Sequence, residues 1–364
     1  MRFLLSGYYG CGNAGDEAVL GGIVKSLQEQ EGGGAQICAL SANPAETRAT
    51  HGIEAADRMH TPTLRTEINQ CDLFISGGGS LLQDVTSLKS LLYYLWVIRM
   101  ARTRRKPVMI YAQGMGPLRR PAARILTGRV LQRANFITVR DEASKALLQR
   151  IGVSKPEIEV TADPAFCLDP MDGTADRILA QAGLDSGSRP IIVALRSWPG
   201  LSSKVVGQAL SQLAQATGSP VLAVALHHPD DLVFSQAVAA ESAGQVQVVQ
   251  QALQPGELIG LMGAARMVVA MRLHALIFGA MATSPLLALS YDPKVDALMN
   301  RLGLAGNLIG ATDEGLGGLC PVADSVLANE EAARQQLAAR SAEMRKLAQR
   351  NAEIAIKLVT RRPN

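Results

Sequence analysis

The sequence predicts an α/β protein of two Rossmann-like domains, each with a parallel sheet, and three observations predict it. Short β-rich runs alternate with helical stretches through both halves of the chain. Aromatic residues make up 4% of the sequence and hydrophobic residues 48%, so the cores are built from Ala, Val, Leu and Ile, which suits sheets buried on both faces. A chain of 364 residues with 19% charged residues can bury two large cores, which excludes disorder.

In the first half the strands are RFLLSG, QICALS, DLFISGGG, PVMIYAQG and NFITVR, each ending near Gly, Ser or a polar residue. The second half repeats the plan with PIIVALR, PVLAVALHH, VQVV, RMVVAMR and PLLALSYD, and with helices over residues 202–217 and 293–302. Residues 170–190 are rich in Gly, Asp and Ser around one short helix, the composition of an interdomain link. The expected division is an N-terminal domain over 1–172, a C-terminal domain over 186–325 and a long final helix over 329–362. The two sheets are expected to face each other across a cleft.

Thirty-six Lys and Arg against 32 Asp and Glu leave a charge of +4, too small to mark a nucleic-acid binder. Cys11, Cys38, Cys71, Cys167 and Cys320 are odd in number, far apart and without a CxxC, which argues against a disulfide framework or a thiolate zinc site and for a reducing, cytoplasmic location. The N-terminus turns into glycines and acids where a secretory signal would stay apolar. The apolar run 91–98 is far short of the roughly 20 residues that span a bilayer. No transmembrane segment is expected. The aromatic and basic stretch 88–106 has the composition of a peripheral contact with the inner face of a membrane, or of a helix packed on the sheet with a solvated charged end.

In doubly wound sheets ligands bind beyond the carboxyl ends of the strands, where loop amides and helix N-termini converge. The unusual residues of this sequence lie there. After the first strand, Gly10, Gly12, Asn13 and Gly15 lead into Asp16 and Glu17. The acids stand where a dinucleotide's pyrophosphate would sit, which argues against that fingerprint, and no P-loop motif occurs. Asp16 and Glu17 either suit a helix start or meet a polar acceptor. Gly77, Gly78, Gly79 and Ser80 present amides to an anion or to sugar hydroxyls, or answer a steric need.

Arg140, and Arg272 with His274, end apolar strands, one arginine in each domain. A guanidinium forks onto carboxylate or phosphate, so two of them facing one cleft predict a small polyanionic substrate. The competing readings are ion pairs of Arg140 with Asp141 or Glu142, and of Arg272 with Asp292. His274 offers an imidazole, which ordinarily titrates near neutrality and serves as a general acid or base. His227, His228, Asp230 and Asp231 lack a third metal ligand with suitable geometry, so His228 is read as a substrate contact and no metal is expected. Gln113, Asp163, Arg196 with Trp198, and Tyr291 with Asp292 and Lys294 also sit at strand ends, lining the cleft or capping loops.

The succession GYYGCGNAGDEAVL, SGGGSLLQD, AQGMGPL, VRDEAS, ADPAF, RLHALIFGA and SYDPKV resembles the polysaccharide pyruvyl transferase family, in particular its bacterial CsaB-type members, over residues 3–296 and in the same order. The resemblance implies a GT-B-like architecture. It also implies transfer of a pyruvyl group from phosphoenolpyruvate, as co-substrate, to a sugar of a secondary cell-wall polymer precursor that is lipid-linked in some members. The product is a cyclic ketal across the 4- and 6-hydroxyls of N-acetylmannosamine. Arg140, Arg272 and His274 match the residues expected to hold phosphoenolpyruvate and assist the chemistry. Asp16 joins them as the catalytic candidate on the acceptor side, and Gly12, Asn13, Glu17, Gly78, Gly79, Ser80, Gln113, Arg196, His228, Tyr291 and Lys294 complete the expected substrate-binding set. No metal or organic cofactor is required by the scheme. The rival readings are a GT-B glycosyltransferase using a nucleotide sugar and a non-catalytic protein that binds anions or glycans.

Overall fold

The computed structural model describes residues 1–85, 87–185 and 187–360. The chain divides into two compact units, Met1–Leu168 with the segment from Met344 onward, and Asp169–Glu343. Residue 186, the expected start of the second domain, and residues 361 and 362, the expected end of the final helix, lie outside the described residues.

The N-terminal unit begins with β1 (Arg2–Tyr9), α1 (Ala14–Gln30), β2 (Gln36–Ser41), α2 (Pro44–His51), β3 (Glu54–Asp57) and α3 (Thr61–Gln70). It continues through β4 (Leu73–Ser76), α4 (Leu88–Thr103), β5 (Val108–Gln113), α5 (Pro121–Leu131), β6 (Phe136–Val139), α6 (Glu142–Arg150) and β7 (Glu157–Val160). The seven strands form one parallel sheet in the order β3-β2-β1-β4-β5-β6-β7. Alternation along each strand divides the core into two layers: Leu4 and Phe74 face Leu64, Leu91 and Leu95 of α3 and α4, while Phe3, Leu5 and Ile75 face Ile23 and Leu27 of α1.

The C-terminal unit contains α7 (Thr174–Gln181), β8 (Ile191–Ala194), α8 (Ser203–Thr217), β9 (Val221–Ala223), α9 (Asp230–Ala240) and β10 (Val246–Val248). It continues with α10 (Pro255–Gly263), β11 (Met267–Ala270), α11 (Leu273–Met281), β12 (Leu286–Ser290), α12 (Pro293–Arg301), β13 (Leu308–Gly310) and α13 (Leu319–Ala328). Its parallel sheet has the order β10-β9-β8-β11-β12-β13. Both units therefore carry the strand order of a Rossmann-like fold, with the reversal between β1 and β4 in one and between β8 and β11 in the other. The last helix, α14 (Glu330–Thr360), belongs to the C-terminal unit up to Glu343 and to the N-terminal unit from Met344, where Ala352 and Ala355 join the layer under α1. The segment 170–190 carries α7, which packs on α10 and is tied to it by the Met171 N–H donating to Gly256 O at 2.9 Å.

Three strands escape the sequence reading: β3, β7 and β13. All three lie at sheet edges. A strand covered on one side only needs no long apolar run, and EAAD and EIEV carry acidic residues, which the central strands of these sheets lack.

Candidate functional sites at the carboxyl edges of the two sheets

In the N-terminal unit the loop after β1 enters α1 through Asn13, the N-cap, whose side chain accepts the Gly15 N–H at 3.0 Å. Gly12 is exposed beside it. Glu17 accepts the Gly10 N–H at 2.8 Å through Oε1, and its Oε2 lies 2.8 Å from His51 Nε2. Both carboxylate oxygens thus brace the loop. Asp16 is placed against the loop that follows β4: a Cβ on Gly79 would stand 3.1 Å from Asp16 Oδ1. Gly79 also has a φ of 82°, so a side chain there would be strained as well as crowded.

Gln113, expected to touch substrate, is fully buried and donates through Nε2 to Ser76 Oγ and Gly77 O, each at 2.9 Å. Its position on the strand turns the side chain inward, where it supports the loop Gly77–Ser80 from beneath.

Arg140 lies across the end of β5. Its Nη1 donates to Asp163 Oδ2 at 2.9 Å and its Nη2 to Ser80 Oγ at 3.0 Å, while Nε is 3.9 Å from Asp141 Oδ2. Gly114 makes this course open, since a Cβ there would stand 2.7 Å from Arg140 Nε. The guanidinium therefore ties the loops after β4 and β7 together, and Asp163 rather than the expected Asp141 or Glu142 is the carboxylate at hydrogen-bond distance. With Arg140 7% and Asp163 4% exposed, removing the acid strands a buried charge. Asp163→Ala is expected to destabilise the protein by about 3–5 kcal/mol. Calorimetry checks this, and an unchanged melting temperature would show that the pair does not hold the loop.

In the C-terminal unit β8 is flanked by β9 and β11, so three neighbouring strands, spaced about 4.8 Å apart, deliver their loops to one edge, with β12 next to β11. Arg272 is the N-cap of α11. Its Nε donates to Asp231 Oδ2 at 2.8 Å and its Nη2 to Asp231 Oδ1. Asp231 is 1% exposed and also accepts the His227 N–H at 3.0 Å. This two-point grip fixes the plane of the guanidinium, whose remaining N–H groups are directed away from the acid. The expected partner, Asp292, is engaged elsewhere: it caps α12 by accepting the Lys294 N–H at 3.0 Å and pairs with Lys294 Nζ at 3.1 Å. His274 stands on the first turn of α11, half-buried, its ring centroid 6.3 Å from that of Phe278. The positive end of α11 and Arg272 together favour negative charge at this position.

Arg196, past the end of β8, lies over the rings of Trp198 and Tyr291 at 5.4 and 5.3 Å, with Nη1 3.4 Å from Tyr291 Oη. The two rings pack 4.5 Å apart. They hold the cation by their π faces without neutralising it. Among the described residues no carboxylate forms an ion pair with Arg196, and its Nε is buried with no hydrogen-bond partner. His228 Nε2 is buried and unpartnered as well. Burial lowers the pKa of His228 below its ordinary 6.5, partly opposed by Asp231, so the ring is neutral near pH 7. The two unsatisfied polar atoms thus lie in the loops that follow the adjacent strands β8 and β9.

Two carboxylates anchor the arginines: Asp163, expected only to line the cleft or cap a loop, and Asp231, considered only as a metal ligand. The signal was available: a permanently charged arginine at the end of an apolar strand requires a buried acid nearby, and ADPAF and HHPDD each supply one at another strand end. Because both Asp231 oxygens face a cation, the HHPDD segment serves as an arginine anchor rather than as a metal site. A cluster the sequence does not signal, Cys38, Glu54 and Glu67, has ligand atoms within 4.8 Å of one another. Arg2 Nη2 already bridges the two carboxylates at 2.7 and 2.9 Å, and burial pushes the Cys38 thiol up to about 12.

Comparison with known proteins places the chain in a family and shows its fold in other proteins. The sequence profile of the family described as polysaccharide pyruvyl transferase matches residues 13–293. The amylovoran biosynthesis protein AmsJ of Erwinia amylovora is 22% identical, over 93% of this chain and 95% of its own. Among solved structures, S. aureus MnaA bound to UDP is 13% identical with a TM-score of 0.67, covering 100% of this chain and 99% of that one. UDP-GlcNAc 2-epimerase from Neisseria meningitidis, bound to UDP-GlcNAc, is 12% identical with a TM-score of 0.63, covering 98% and 100%. These structures share the GT-B-like fold of two Rossmann-like domains. The chain belongs to the polysaccharide pyruvyl transferase family, and is thereby a transferase with a role in pyruvyl transfer during polysaccharide biosynthesis.

Proposed function

We propose that the donor is phosphoenolpyruvate, bound at the carboxyl edge of the C-terminal sheet, and that the acceptor is a sugar diol engaged by the N-terminal unit. The observation that carries this reading is the cationic edge of the C-terminal unit: Arg272 aimed by a buried acid at the start of α11, Arg196 with an unsatisfied Nε, and His274 on the first turn of that helix. A carboxylate and a phosphate borne on one carbon suit two guanidinium groups of different loops.

The chemistry then runs on this chain's own groups. His274 delivers a proton to the methylene carbon of the donor while a sugar hydroxyl adds to the neighbouring carbon. The C–O bond to phosphate breaks, inorganic phosphate leaves, and the second hydroxyl closes the ketal and releases its proton. Arg272 and Arg196 stabilise the phosphate as charge develops on it. Asp16 orients or deprotonates the acceptor hydroxyl, and Arg140 is the anion-binding group of the N-terminal unit.

The motif resemblance supports the CsaB-type assignment, with N-acetylmannosamine in a lipid-carried secondary cell-wall polymer precursor as the acceptor and the cytoplasm as the site of action. The name of AmsJ supports only the broader class, a polysaccharide under synthesis. Neither a metal nor an organic cofactor has a part in this scheme. The test is incubation of the purified protein with phosphoenolpyruvate and an N-acetylmannosamine-containing acceptor, following inorganic phosphate and product mass together. Phosphate release matched by gain of one pyruvyl ketal is expected. Turnover of a nucleotide sugar instead, or donor binding without phosphate release, would overturn the reading.

A further inference from the structure

We propose that the outer face of α4 and α5 docks on an anionic lipid bilayer. Residues 85–139 contain eleven Lys and Arg and no Asp or Glu, whereas the rest of the chain carries 25 Lys and Arg against all 32 acids. A protein of modest net charge is thus strongly polarised, with its positive excess confined to one stretch. That stretch folds into two neighbouring helices, α4 and α5, packed side by side over the same core layer.

On α4 the residues Leu91, Leu95 and Ile98 face the core. The opposite stripe exposes Leu88 (39%), Leu92 (43%) and Trp96 (42%), four residues apart and so aligned one above another. Arg99 continues the same face. On α5, Ile125 is 54% exposed between the exposed Arg124 and Arg129.

Aliphatic and indole side chains set among arginines match an interfacial helix surface, in which apolar groups enter the acyl boundary and cations meet lipid phosphates. No helix among the described residues is long and apolar enough to cross a membrane, so the contact is peripheral. A nucleic acid fits less well: leucine and isoleucine offer no stacking surface for bases, and the face exposes one aromatic ring. This docking goes beyond pyruvyl transfer and does not rest on it, because lipid binding needs neither donor nor acceptor.

The test is co-sedimentation of the full chain with vesicles of phosphatidylcholine alone or with about one third phosphatidylglycerol. Binding to the anionic vesicles only, weakened by salt, is expected. Two double variants separate the contributions, Leu92→Ser with Trp96→Ser and Arg124→Gln with Arg129→Gln. The arginine pair should weaken partitioning about fivefold per charge removed, and the apolar pair should weaken it by at least about tenfold. Trp96 emission, isolated by comparison with Trp96→Phe, should move to shorter wavelength on binding. All four positions are exposed, and circular dichroism confirms that the variants are folded. Absence of binding to anionic vesicles at low salt would overturn the proposal. So would binding that both double variants retain in full. Displacement by an RNA oligomer with no dependence on Leu92 and Trp96 would assign the face to nucleic acid instead.

Discussion

His274→Ala is expected to lower turnover by about a hundredfold to ten-thousandfold, the range that a positioned proton-transfer group contributes, with little change in melting temperature. The side chain is half-buried on the first turn of α11, and its neighbour Arg272 is held by Asp231 rather than by the imidazole. Truncation therefore leaves the Arg272 guanidinium in place. The loss should fall on kcat, with donor affinity largely kept, because proton delivery matters in the transition state and the ground-state contacts of the donor are made elsewhere. His274→Gln, which keeps a hydrogen-bonding group but cannot exchange protons near neutrality, should be impaired to a similar degree. A purified His274→Ala protein with full activity would remove the histidine from the mechanism.

Asp231→Ala should be the most destabilising single change at the C-terminal site. The carboxylate is almost wholly buried, meets two nitrogens of Arg272 and accepts the His227 N–H, so its removal leaves a guanidinium without its counter-charge and a backbone donor without its acceptor. A loss of about 3–5 kcal/mol is expected, seen as a lower denaturation midpoint. The double variant Asp231→Ala with Arg272→Ala should be less destabilised than the sum of the two single changes, since it removes both charges together. Additive losses would show that the pair does not act as a unit. Activity should fall as well in the single variant, because the grip of Asp231 sets the direction of the guanidinium's free edge.

The central strands of both sheets were legible because they are buried on both faces. Runs such as LFIS, VMIYA, IIVA and MVVA have no polar alternation and end abruptly at Gly, Arg or Ser. The edge strands β3, β7 and β13 were not legible, because one-sided cover lets charges and glycine into them. The candidate residues were legible for a related reason. A charge at the end of an apolar strand is conspicuous, and Arg140 and Arg272 stand out as candidates on that ground.

Their partners were not, since adjacency in sequence is a poor guide to pairing across a parallel sheet. Arg140 takes Asp163 from the loop after β7, and Arg272 takes Asp231 from the first turn of α9, which follows β9 two strands away. Gln113 misled in the opposite direction: a polar residue at a strand end suggests a ligand contact, yet the strand's alternation turns it inward to hold Ser76 and Gly77. Glu17 and Asn13 were assigned to binding and are engaged as loop brace and helix cap.

The account centres on an anionic three-carbon donor gripped at the carboxyl edge of the C-terminal sheet. Equilibrium dialysis of radiolabelled phosphoenolpyruvate against wild type, Arg272→Ala and Arg196→Ala tests it most directly, in the absence of any acceptor. Saturable binding by the wild type is expected, weakened about tenfold to a hundredfold in each variant, as befits loss of a hydrogen bond between charged groups. Unaltered affinity in both variants, or no binding by the folded wild-type protein, would contradict it.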